Sequence, residues 1–319
     1  MSNLAELRRR PTSLAVVLAA ALLVANIVVR PSFGTPSSVP SLLAVFAPFA
    51  LVAMASVPSI VSGGGGIDVS VGPLATIVNV VIVAWLLPRG IDEIWLVIPC
   101  AVVFGAFVGA VNGFLSAVMR YQPVIATLCA YFVLTGLALQ ILPRPVSGTT
   151  AWLDSAAGSI GPVPGALLFI LAPLALWALL RALPFTDLLY AVGGNDAAAF
   201  SAGVNVPAVR ICAYAVGGAV AGLAGVSLTA LLQSADATIG AQYTLAAIAA
   251  VALGGISLSG GSGGLFGALA GAACIFLIQT MLDSLGVASA WAQVAYGVLL
   301  VVAILLQSSA SASTRRAVT

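Results

Sequence analysis

The chain has 319 residues, 61% of them hydrophobic and 6% charged, with a formal net charge of +2. Soluble domains carry roughly 25% charged residues, so this surface is built for lipid, and so small a net charge speaks against nucleic acid as a partner. There is no histidine and every basic residue is an arginine, which excludes a GxxxxGK[ST] phosphate loop, a zinc-protease motif and a Ser-His-Asp triad; no metal site and no catalytic residue are expected.

Hydropathy and breakers predict an all-α polytopic membrane protein, a single membrane domain over residues 1–319 with about ten spans. The first, Ser13–Val29, follows Arg8, Arg9 and Arg10. Its apolar part is longer than the usual signal-peptide core of about 7–15 residues and lacks a clear cleavage site, so it reads as a retained helix. Ser41–Val61 and Val69–Leu87 flank SGGGGIDVSVGPL (Ser62–Leu74). Here Gly63–Gly66 let the chain reverse, the Asp68 carboxylate can cap the N–H of Ser70 or Val71, and Pro73 is tolerated in a first turn. Both flanking spans are long enough to cross, which sets Asp68 near an interface as a structural cap. Gating is the alternative role, since intramembrane acids are functional candidates; Asp68, Ser70 and Gly72 are therefore gate candidates.

Ile94–Val118, Pro123–Leu142 and Gly165–Leu183 follow, with a polar loop from Pro143 to Pro164. Pro184–Pro207 is the longest connection on the arginine-rich side. In it Asn195 or Asp196 can cap a short helix through Ser201, Gly203 supplies a left-handed stop, and Phe200 projects beside the small Ala197, Ala198 and Ala202. Ala208–Leu232 precedes Tyr243–Leu253, which is too short to span and breaks at Gly254 and Gly255. This suggests a half-helix or re-entrant turn and adds those glycines to the gate candidates. Leu265–Leu282 and Trp291–Leu306 complete the set. The run Gly260–Gly264 fits G-x-S-x-G but has no histidine base, so no nucleophile is assigned. Cys100, Cys129, Cys212 and Cys274 lie inside apolar spans without CxxC spacing and read as small buried hydrophobes. The polar span residues Asn79, Asn112, Gln233, Tyr243 and Gln279 are candidates for a translocation path.

With an inside N-terminus and ten passes, Arg8, Arg9, Arg10, Arg120, Arg181, Arg210, Arg315 and Arg316 face the cytoplasm, against Arg30, Arg89 and Arg144 outside. Both termini are then cytoplasmic. The chain also echoes itself. DVSVG (Asp68–Gly72) returns as DATIG (Asp236–Gly240), and FVGAVNG (Phe107–Gly113) as LFGALAG (Leu265–Gly271). Each member of the second pair lies in a G-x3-G-x3-G ladder that suits close packing. Two halves of five helices follow, 11–142 and 165–307, and an odd number inverts the second.

Three stretches carry a family likeness: SGGGGIDVSVG (Ser62–Gly72), YAVGGNDAAAFSAGV (Tyr190–Val204) and AAIAAVALGGISLSGG (Ala246–Gly261). They resemble, in order, the signatures of ribose-type ABC importer permeases, and the likeness runs from about Ser41 to Val301. The chain departs by an extra glycine in the first motif and by Ser262 where many relatives have lysine. The resemblance implies a fold akin to the vitamin B12 importer permease. It also implies a transport subunit with no ATPase site of its own, working with a cytoplasmic ABC ATPase that binds ATP and Mg, a second permease copy or paralogue, and an extracytoplasmic sugar-binding protein. The setting it implies is the bacterial cytoplasmic (inner) membrane, with membrane lipid around the spans. Residues 184–207, with Gly193, Gly194, Asn195, Asp196, Ala197, Ala198, Phe200, Ser201 and Gly203, then resemble the coupling helix that docks on the ATPase. An ion-coupled secondary transporter shares inverted repeats and broken helices, and a branched-chain amino acid permease is the nearest reading within the ABC class.

Overall fold

The computed structural model describes residues 11–287, 291, 293–299 and 301. It is built from helices: α1 (Pro11–Val29), α2 (Val39–Val61), α3 (Val71–Val81), α4 (Ile94–Ala117), α5 (Pro123–Ile141), a short α6 (Ala151–Ala157), α7 (Gly165–Arg181), α8 (Phe185–Gly194), α9 (Asp196–Ser201), α10 (Val206–Leu232), α11 (Gly240–Leu253) and α12 (Leu265–Ser284). A π turn, Ile82–Leu86, and a 3-10 turn, Leu87–Arg89, prolong α3. Among the described residues seven helices are long and apolar enough to cross a membrane. The α7–α8 pair passes the same test jointly but bends by 86°, and α11 is a shorter apolar helix of 14 residues. The half-helix expected before Gly254 is thus present, extended to Gly240, while in the tenth span, Trp291–Leu306, residues 292, 300 and 302–306 lie outside the described residues.

Tracing the helices divides the molecule into two ends. At the first end Thr12 bonds to the Gly254 carbonyl, the Gly261 N–H to the Val61 carbonyl, and Thr127 at the start of α5 accepts from Val69 N–H. At the opposite end Trp152 donates to the Asp92 carbonyl, Gln233 to Asp154, and the two-residue strand β1 (Val146–Ser147) pairs antiparallel with β4 (Ser234–Ala235). Chain connectivity places Arg120, Arg181 and Arg210 at the first end and Arg30, Arg89 and Arg144 at the other, while Arg8, Arg9, Arg10, Arg315 and Arg316 lie outside the described residues. The Pro143–Pro164 segment is more ordered than its composition suggests. It holds β1, α6 and a hairpin of β2 (Ser159–Ile160) and β3 (Val163–Pro164).

Helices α2 and α10 form the centre; residues 47–61 of α2 are all buried. Lipid tails are as apolar as leucine, so helices associate through close packing of small residues. The α4 ladder does this: a side chain at Gly105 or Gly109 would strike the Gly218 or Tyr214 carbonyl of α10. The α12 ladder instead meets α11, with Gly267 against Gly254 and Gly271 against Ala250. One expectation fails. Cys274 is buried, but Cys100, Cys129 and Cys212 are exposed on α4, α5 and α10. Hydrophobicity places a small residue in an apolar span without saying whether it faces protein or lipid, and these three face outward.

Candidate functional site at the glycine-rich end

The three glycine-rich stretches, distant in sequence, converge on one point at the first end. Gly63, Gly193 and Gly260 meet backbone to backbone. A side chain at Gly63 would lie 2.9 Å from the Gly193 Cα, one at Gly260 would collide with the Gly63 Cα, and one at Gly261 would lie 2.8 Å from the Gly194 Cα. Gly63 (φ +76°) and Gly260 (φ +98°) also need the left-handed conformation that L side chains avoid. The Gly261 N–H donates to Val61 O at 3.0 Å, and the Tyr190 hydroxyl donates to Gly263 O at 2.6 Å. Shape and conformation together therefore demand glycine here, and the knot fixes the ends of α2, α8 and the loop after α11 against one another.

Helix α9 stands on this knot. The Asn195 side chain accepts from Ala198 N–H at 3.0 Å, as its position predicts, and Gly203 turns the chain at φ +87°. Phe200 is 71% exposed, while Ala199 is the residue turned inward. Ala197, Ala198, Ser201 and Ala202 are exposed around it. Ahead of α9, Phe185–Gly194 forms a helix of its own, bent sharply from α7. Gly193, grouped with the coupling residues, packs inward on the Val61 carbonyl and Gly261, so it belongs to the knot and not to the exposed face.

Asp68 lies beside the knot and is 4% exposed. Its Oδ1 accepts from Ser70 N–H (2.8 Å) and from Ser70 Oγ (2.6 Å), and Ser70 in turn accepts from Asn112 Nδ2 at 2.9 Å. Asn112 is five residues from the end of α4, so with a rise of about 1.5 Å per residue the carboxylate sits about 8 Å inside that end. It is the cap of an Asx turn that starts α3, on the Ser70 N–H and not that of Val71. The same turn recurs at Asp236, which accepts from Thr238 N–H (2.8 Å) and Thr238 Oγ1 (2.7 Å). The two helices that follow meet at Gly72 and Gly240: a side chain on Gly72 would strike the Gly240 carbonyl, and one on Gly240 would lie 3.0 Å from Thr76 Oγ1. Helix α3 runs from the first end to the opposite end and α11 runs back, so the pair is antiparallel.

The other gate and path candidates are placed as follows. Gly254 ends α11 against Gly267, and Gly255 turns with φ +74°. Asn79 is buried, donating to Thr229 Oγ1 and Ser234 O, and its Oδ1 has no partner among the described residues. Tyr243 packs on Phe49 with ring centroids 5.0 Å apart. Gln279 accepts from the Tyr296 hydroxyl at 2.7 Å. Gln233, next to the Ser234 that Asn79 contacts, caps α10 with φ +49° at the exposed opposite end, bonded to Asp154. Sequence reasoning missed Tyr190 as a brace and Arg210 as anything beyond a topological charge; Tyr190 stands in a quoted motif, and Arg210 is the first arginine after it.

Comparison with known proteins closes the account of the site. The family model described as branched-chain amino acid transport system / permease component matches residues 38–304. The ribose import permease protein RbsC of Bacillus subtilis is 36% identical over 291 residues, 89% of each chain. That of Escherichia coli K12 is 35% identical over 253 residues, 76% of this chain and 77% of the relative. The E. coli D-allose transport system permease protein AlsC is 32% identical over 244 residues, covering 76% and 74% respectively. No solved structure matches. The chain belongs to the family of branched-chain amino acid transport system permease components, as a multi-pass membrane member similar to sugar permeases.

Proposed function

We propose that this chain is the membrane-spanning permease of an ATP-binding-cassette importer that carries a ribose-like sugar into the cytoplasm. In this reading the first end is cytoplasmic, as the arginine partition supports, and both termini lie there in a bacterial inner membrane. A separate ATPase binds ATP and Mg and docks on α9, a second permease copy or paralogue completes the path, and an extracytoplasmic binding protein delivers sugar to the opposite end. The observation that carries the reading is an exposed phenylalanine on a capped helix that rises from a knot of all three motifs. Such a helix offers an anchor to a partner and a rigid footing to transmit what the partner does.

We also infer that residues 11–142 and 165–307 are inverted repeats. The matched Asx turns at Asp68 and Asp236 and the antiparallel crossing at Gly72 and Gly240 support that inference. Vesicles holding the permease, its ATPase and its binding protein should take up labelled D-ribose only with internal ATP, and unlabelled leucine should not compete. Uptake by the permease alone on a sodium or proton gradient would overturn the importer reading in favour of secondary transport, and competition by leucine would move it to amino acids.

A further inference from the structure

Arg210, near the start of α10, touches both sides of the knot. Its Nη2 forms an ion pair with Asp196 Oδ2 at 3.1 Å, and Asp196 opens α9. The same guanidinium lies against the turn before Asp68: a side chain on Gly64 would sit 2.7 Å from Nη2 and 3.0 Å from Cζ. The arginine side chain is 19% exposed and Asp196 56%. A surface ion pair of this kind adds little stability. Its position does more, since one rigid planar cation is bonded to the first residue of the docking helix and lies against the turn that feeds α3. Beyond that turn come Asp68, Ser70 and Asn112, the hydrogen-bonded chain that fixes how α3 meets α4.

We propose that Arg210 is a positioning residue that ties the motion of the docking helix to the start of α3, so that displacement of α9 by the ATPase shifts the Gly63–Gly66 turn. This rests on the importer reading above. A neighbouring pair of glycines makes it testable. Gly64 (φ +65°) and Gly65 (φ +74°) share the left-handed conformation, but a side chain on Gly65 meets nothing within 4 Å. Gly64→Ala and Gly65→Ala therefore carry like backbone strain, and only the first displaces the guanidinium.

The measurement is the ratio of ATP hydrolysis with sugar-loaded binding protein to that without it, in the reconstituted complex, beside ATPase co-purification and a thermal melt. Arg210→Gln and Gly64→Ala should each cut that ratio severalfold while the ATPase still co-purifies. Gly65→Ala should leave it near wild type. Combining Asp196→Asn with Arg210→Gln should be no worse than Arg210→Gln alone, because both remove one link. An Arg210→Gln complex that assembles and keeps the full ratio overturns the proposal, as does an equal loss in the two glycine variants. If Arg210→Gln does not assemble, Asp196→Asn, which leaves the arginine in place, decides by the same ratio. A wild-type permease that captures no ATPase would instead defeat the importer reading itself.

Discussion

Asp68 owes its position to two hydrogen bonds that an amide oxygen can also accept. Asn at 68 keeps an acceptor for the Ser70 N–H and hydroxyl, whereas Ala strands both in a buried place, where an unmet donor costs about 1–3 kcal/mol. Asp68→Asn should thus retain nearly wild-type folded yield and melting temperature in detergent, and Asp68→Ala should lower both. Transport is the separate readout: an Asn variant that folds and assembles but moves no sugar would assign the carboxylate to gating. Asn112→Ala belongs to the same test, since it removes the donor that holds Ser70 from α4. It should destabilise less than Asp68→Ala, because the Ser70 hydroxyl keeps its own bond to Asp68 and only an acceptor loses its partner.

Among the elements, α9 was readable from residues alone, and the reason is local. A capping Asn, a run of helix formers and a glycine three residues past the aromatic are chemistry within one short stretch. The half-helix α11 and the ladders were readable for the same reason. The knot was not, because the glycines at 63, 193 and 260 need one another across the fold and no spacing in sequence says so. Helix α8 was hidden by Pro184 and the paired glycines at its end, which read as loop until tertiary packing supplied their partners. Outward-facing cysteines were hidden because an apolar helix has no polar face to betray its orientation. For α9 the consequence is direct. Phe200→Ala should weaken ATPase co-purification at least tenfold, in keeping with the roughly 2 kcal/mol that an aromatic anchor loses on truncation. Ala198→Glu, at an exposed position, should do likewise. Melting of the isolated permease should not change, since neither side chain is buried; retained association and transport in both variants would reduce α9 to a connector.

At the scale of the whole molecule the two ends differ in what they expose, and that difference predicts sidedness. Ser155 lies exposed on α6, within the segment that joins Asp92, Asp154 and Gln233, the end that the arginine count of the sequence sets outside. Ser201 lies exposed at the close of α9, the helix whose first residue, Asp196, pairs with Arg210. Positive residues stay on the cytoplasmic side during insertion, so a cysteine at Ser155 should react with a membrane-impermeant thiol reagent in intact cells, and one at Ser201 only after the membrane is opened. Cys100, Cys129 and Cys212 are exposed on helices and must first be replaced, by alanine, for the signal to be clean. Alanine suits those sites because their side chains have no core to fill. Both test positions are polar and exposed, and each hydroxyl donates to a carbonyl of its own helix, Ala151 for Ser155 and Ala197 for Ser201. Neither change should therefore disturb insertion. The reverse labelling pattern would turn the molecule over, placing the knot and Phe200 outside the cell, where no ATPase could reach them.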